Sequence, residues 1–180
     1  MKATGIVRRI DDLGRVVIPK EIRRTMRIRE GDPLEIYTSK DGEVIFKKYS
    51  LMGGVDEFAA QLCETLSKST GTTVAVTDRD SVIAAAGSAR RDLIGKRISP
   101  QLEQIMEGRG IYRAAPSERS VYVTESLDRY CALIAAPIIS EGEALGLVVF
   151  VGTEGESNSG EMEYKLAQAI AGFLGKHMEC

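Results

Sequence analysis

Hydrophobic and polar positions follow two different rhythms along this chain. From Ile6 to Tyr49 the apolar residues come in short blocks, Ile6–Ile10, Arg15–Ile18, Pro33–Ser39 and Glu43–Tyr49, and these predict strands. "KDG" separates the last two, and Asp41-Gly42 is a strong signal for a tight hairpin. Between the pairs lies "PKEIRRTMRIREGD", where Pro19 suits a first helical position and Gly31 a stop just past the end. From Val55 onward the period becomes helical: Val55, Phe58, Ala59, Leu62, Cys63 and Leu66 form a one-sided apolar stripe. "TVAVTDRDSVIAAAG" then predicts two strands around an Asp78–Asp80 turn, followed by a helix over Pro100–Glu107. Short strands are expected near Ile111–Arg113 and Ser120–Thr124, and a central hairpin at Cys131–Ile139 and Ala144–Gly152 joined by "SEGE". The last segment puts Met162, Leu166, Ala169, Ile170, Phe173, Leu174 and His177 on one helical side, with Asn158 and Glu161 as a capping box.

The rhythms meet at "KKYSLMGGVDEF", where Gly53-Gly54 punctuates the chain. This divides it into a domain over 1–50, a linker over 51–54 and a domain over 55–180. The second piece runs helix, antiparallel strands, helix, which is an α+β order with the first and last helices together on one face of the sheet. The first piece is too small to build a sufficient core by itself. It holds neither cysteine nor histidine, so oligomerisation is what remains to stabilise it. Val16, Val17 and Ile18 put apolar groups on both faces of a strand, which then needs cover on both sides. Two chains interleaving their strands into one closed sheet would provide that cover, and the expected unit is an obligate dimer.

Composition adds exclusions. The chain has 180 residues, 43% hydrophobic and 28% charged, a folded rather than a disordered balance. No stretch approaches the ~20 apolar residues of a membrane span. "MKATGIVRR" meets charge too early for a signal peptide, so the cytoplasm is the expected location. Cys63, Cys131 and Cys180 are scattered, with only His177 to join them, so neither a disulfide framework nor a metal site is expected, and no cofactor. The net charge of -2 conceals a division. Residues 1–50 carry 12 Lys+Arg against 8 Asp+Glu, while residues 51–180 carry 12 against 18. An acidic average is therefore compatible with a basic face at one end.

The helix after Pro19 shows where that face lies. At 100° per residue, Ile22 and Met26 face the core, and Lys20, Arg23, Arg24 and Arg27 form one basic arc. Arg8 and Arg15 flank "RIDDLG", across a hairpin from each other. In a dimer every charge occurs twice about a two-fold axis, which suits duplex DNA, and arginine suits phosphates and guanine edges.

"TGIVRRIDDLGRVVIPKEIRRTMRIREGDPLEIY" resembles the N-terminal DNA-binding domain of the AbrB-type transition-state regulators, nearly residue for residue. With its second domain, the whole chain is similar to the stage V sporulation protein T family of spore-forming Firmicutes. The resemblance implies an N-terminal, β-rich swapped-hairpin dimeric barrel followed by a GAF-like α+β domain with an antiparallel sheet. It places DNA contacts on Arg8, Arg15, Arg23 and Arg24, with Arg9, Lys2 and Lys20 as electrostatic support. It further implies a tetramer held through the C-terminal helices, and forespore gene control that activates some promoters and represses others.

For the second domain the residues name no ligand. No nucleophile–base–acid set is visible, so an enzyme is not expected, and the glycine segments lack phosphate-loop spacing. Arg90, Arg91, Lys96 and Arg97 in "SARRDLIGKR" could meet an anionic effector at a pocket mouth, but a solvated loop is the reading these residues favour. His177 is expected to pack on the apolar side of the last helix. The expected function is a DNA-binding transcription regulator, with a second domain that senses a small molecule or assembles the oligomer. The alternative is a non-catalytic interaction protein, antitoxin-like or a GAF signalling module, whose barrel serves dimerisation.

Overall fold

In a computed structural model, which describes residues 5–49, 52, 54–116, 118–156 and 160–179, the chain divides into two units, Met1–Tyr49 and Ser50–Cys180. Lys2, the Asn158 cap and Cys180 lie outside the described residues.

The first unit contains a short helix, α1 (Lys20–Thr25), and a hairpin of β1 (Leu34–Thr38) and β2 (Val44–Lys48). Ile36 pairs with Phe46 and Thr38 with Val44, around the predicted Asp41-Gly42 turn. Ile6–Ile10 and Arg15–Ile18, predicted as strands, make no strand pairing within this chain. Among the described residues of the unit, Pro19 alone is buried. Val7, Ile10, Leu13 and Val17 are each at least 67% exposed. Among the described residues no second strand lies alongside these segments, and their apolar faces stay open.

The second unit folds around a six-stranded antiparallel sheet of order β4-β3-β8-β7-β5, with β6 also against β7. The strands are β3 (Thr73–Thr77), β4 (Val82–Ala86), β5 (Tyr112–Arg113), β6 (Tyr122–Thr124), β7 (Leu127–Ser140) and β8 (Glu143–Thr153). The long β7–β8 hairpin is the one "SEGE" predicts. Its two loop residues, Glu141 and Gly142, both have positive φ (48° and 81°), the type I′ geometry that matches strand twist.

Residues alternate across the sheet. Val74, Val76, Ile134, Val148 and Phe150 face α2 (Asp56–Thr70) and α5 (Glu161–His177). Ala75, Ala135, Leu147 and Val149 share the opposite core with Leu93 of α3 (Arg90–Leu93) and with Leu102 and Met106 of α4 (Pro100–Gly108). Ser99 caps α4 by accepting a bond from the Leu102 N–H at 3.1 Å, with Pro100 at the first turn.

The last helix is turned about its axis from its predicted orientation, although Leu166, Ile170 and Leu174 of the predicted stripe do pack on the core. Its buried residues are Ala167, Ala171, Leu174 and Gly175, whereas Met162, Phe173 and His177 are exposed. The helix approaches β7 closely, and small residues are what such an approach admits. His177 instead stacks against Phe173 (6.2 Å between ring centres) and lies 5.3 Å from Phe58 of α2, so the first and last helices do meet on one face.

Candidate nucleic-acid interface

The basic residues of the first unit sit on two local structures. One is the reversal at 11–15, built around a single carboxylate. Asp11 Oδ1 accepts the Leu13 N–H at 3.0 Å and the Arg15 N–H at 2.8 Å, and Oδ2 accepts Arg15 Nε–H at 2.8 Å. The backbone closes the turn with Gly14 N–H to Asp11 O and Asp11 N–H to Arg15 O, both 3.0 Å. Gly14 has φ 76°, a conformation that favours glycine. The Arg15 backbone N–H, then its guanidinium, hold the Asp11 carboxyl below the usual carboxylate range. Arg8 and Arg9 precede the turn and Arg15 ends it, and all three side chains are exposed.

The other is α1. Pro19 caps it, buried, and Lys20, Arg23 and Arg24 all stand exposed on it, at spacings that put Lys20 beside both arginines. Its end comes earlier than Gly31. Ile28 N–H bonds Arg23 O at 2.8 Å and Arg27 N–H bonds Arg24 O at 3.3 Å, a Schellman closure with Arg27 at φ 51°. Arg27 therefore leaves the predicted basic arc and is half-buried beyond the helix. Met26, predicted to face a core, is exposed within the single chain.

Lys48 has a different task from the other cations. Its Nζ donates to Arg27 O at 2.9 Å and lies 3.5 Å from Asp32 Oδ2, and that Oδ2 also accepts the Arg29 N–H at 2.9 Å. The Asp32 side chain is only 5% exposed, so this cluster ties the end of α1 to β2. Sequence reasoning passed over both Asp11 and Asp32. The spacing Asp-x-x-Gly-Arg carries the signal for the first, since an Asp side chain that bonds backbone two residues on makes an Asx turn.

Among the described residues of the second unit, clefts include three of modest size. One of about 90 Å³ is lined by Tyr112, Arg119, Ser120 and Cys131 among others. Another of about 190 Å³ is lined by Thr73, Ser88, Tyr130 and Glu156 among others, and a third of about 370 Å³ by Ser140, Glu141, Glu143, Leu145 and Met178. Arg90, Arg91, Lys96 and Arg97, weighed between a pocket mouth and a solvated loop, are exposed and line none of these three. Burial pushes the Cys131 thiol up, and the Cys63 thiol up to about 12. Among the described residues no cluster of His, Cys, Asp and Glu could hold a metal ion, and no helix is long and apolar enough to cross a membrane.

Two family models match. The one described as stage V sporulation protein T C-terminal, transcription factor, covers residues 54–179. The one described as antidote-toxin recognition MazE, bacterial antitoxin, covers residues 7–51. Stage V sporulation protein T of Bacillus subtilis (strain 168) is 47% identical over 180 residues, 99% of this chain and 99% of that protein. Transition state regulatory protein AbrB of the same organism is 63% identical over 49 residues, 27% of this chain and 50% of that protein. A GAF domain of A. aeolicus, solved in an inactive state, is 16% identical over 70% of this chain and 86% of that chain, with a TM-score of 0.51. That likeness concerns the fold of the second unit, and it agrees with the helix–antiparallel sheet–helix order predicted there.

Proposed function

Because the chain belongs to the stage V sporulation protein T family, we propose that it controls transcription during sporulation by binding DNA through its first unit. It carries an AbrB-like DNA-binding domain, and its relative over the full length is a sporulation protein whose family is described as a transcription factor. The domain boundaries we assign are 1–50 and 55–180 with a linker over 51–54, and the division of the chain near Tyr49 supports them. Arg8, Arg15, Arg23 and Arg24 are the DNA-contacting residues, and Arg9, Lys20 and Lys2 add positive charge.

The observation that carries this reading is a unit with exposed arginines and almost no core of its own, in a segment 63% identical to AbrB. Its open apolar segments support pairing of two chains through interleaved hairpins, which would double the arginines about an axis. Phe58, Phe173 and His177 on α2 and α5 support a second contact between copies, giving a tetramer. The second unit assembles the oligomer or takes a small effector of unknown identity. As a transcription factor the chain acts in the cytoplasm on the nucleoid, in the forespore, activating some promoters and repressing others. We assign it no catalytic reaction.

Phosphate contacts from short loops and one short helix give affinity, with few base contacts, so DNA shape carries much of the selectivity. Footprinting of the full chain across sporulation promoters should protect many loosely related sites. The match of residues 7–51 to an antitoxin model favours a second reading, in which this unit holds a protein toxin. An absence of protected sites at low salt would reject the DNA reading and leave that one standing.

A further inference from the structure

An acidic residue sits within the face assigned to a polyanion. Simple electrostatics makes Asp11 an opponent of DNA binding, since its charge repels phosphates and lowers the field of its neighbours. Its bonding points elsewhere. Exposed ion pairs usually contribute little, because two long side chains must be ordered to form them. Asp11 is ordered already: two backbone N–H groups, from Leu13 and Arg15, hold its Oδ1 before the guanidinium is considered. Its Oδ2 then takes Arg15 Nε–H at 2.8 Å, while the Arg15 side chain stays 69% exposed. One of five guanidinium N–H donors is thereby anchored to the turn, and the two-pronged end of the group lies beyond the anchor.

We propose that Asp11 is a positioning residue for DNA recognition: through Nε it fixes the plane of the Arg15 guanidinium, so that the fork of Nη1 and Nη2 meets the duplex in one orientation. This rests on the DNA-binding reading above. A fixed fork matches the paired acceptors O6 and N7 of guanine, or two oxygens of one phosphate, whereas a loose arginine satisfies any nearby phosphate. The carboxylate thus lowers general attraction and raises discrimination between duplexes.

The test uses the full chain, a duplex of about 40 base pairs, roughly four helical turns, selected from a random pool, and a scrambled duplex of equal composition. Four proteins are compared: wild type, Asp11→Asn, Arg15→Ala and the double variant. Asn keeps an oxygen to accept the turn N–H groups and loses the carboxylate that anchors Nε. Asp11→Asn should bind the selected duplex about fivefold or more weakly, the scale of one bidentate pair, and the scrambled duplex at least as tightly as wild type. In the Arg15→Ala background the same change should no longer weaken binding. Tighter binding of Asp11→Asn to both duplexes would overturn the positioning role and leave DNA binding intact, whereas wild type binding neither duplex would overturn both. A second measurement stands even if Asp11→Asn does not fold. In the DNA-free wild-type chain, the Arg15 Nε–H should give a shifted, slowly exchanging NMR signal, and its merging with solvent-exposed guanidinium signals would also refute the anchor.

Discussion

Gly175, in the last turn of α5, lies so close to the backbone carbonyl of Ile139 in β7 that a methyl group at its Cβ position would overlap the carbonyl oxygen. Gly172, in the same helix, has nothing within 4 Å of that position. The two glycines therefore predict opposite outcomes. Gly172→Ala should stabilise the second unit by up to about 1 kcal/mol, the helix-propensity gain. Gly175→Ala makes the same gain but forces the helix away from the strand, at about 1–3 kcal/mol, and should be destabilising on balance. Urea unfolding of the two variants checks this, and equal shifts would contradict the close approach.

Lys48 provides a control for electrostatics. It braces the end of α1 through Arg27 O and Asp32, so its amine is already engaged within the unit. Lys48→Met should lower the stability of the first unit by about 1–3 kcal/mol, since a largely buried carboxylate loses a cation and a backbone carbonyl loses a donor. DNA affinity should fall only as far as folding does, with the salt dependence of binding by the folded variant unchanged. A reduced salt slope in the folded Lys48→Met protein would place Lys48 on phosphates instead.

Cys63 predicts both reactivity and a pH effect. Burial in the core of the second unit pushes its thiol from an ordinary 9.0 up to about 12. The native chain should therefore protect Cys63 from iodoacetamide at pH 8, and denaturant should expose it, which peptide mapping can follow. Because the folded state holds this proton more tightly than the unfolded chain, its contribution to stability is whole below about pH 9. It is lost as pH rises toward 12. Stability that rises over that interval in a wild type compared with Cys63→Ala would contradict the sign.

Much of this was legible in the sequence because the second unit completes its core within one chain. Periodicity placed the strands, the hairpin at Glu141-Gly142 and the stripe of α2, since each residue's partner is supplied locally or by the same sheet. The stripe of α5 is right at Leu166, Ile170 and Leu174 and wrong at Met162 and Phe173, because hydrophobicity favours those two while the backbone distance to β7 selects Ala167, Ala171 and Gly175, and no single-residue property reports that distance. Arg27 was misplaced because a helical wheel assumes that the helix continues, and the Schellman closure ends it first. In the first unit, the strand pattern of Ile6–Ile10 and Arg15–Ile18 was readable, but a strand exists only beside another strand. Asp11 escaped notice because attention to a basic face passes over the acid that organises it.

Binding to duplex DNA across a salt series, for wild type and Arg23→Ala/Arg24→Ala in the full chain, tests the central claim most directly. Removing one arginine from a phosphate should reduce the slope of log K against log salt by about 0.9, and two-fold symmetry doubles that reduction. The account predicts tight wild-type binding that weakens steeply with salt, and a clearly shallower slope in a variant that remains folded. A wild-type chain that does not bind DNA at low salt, or a variant with an unchanged slope, would contradict it.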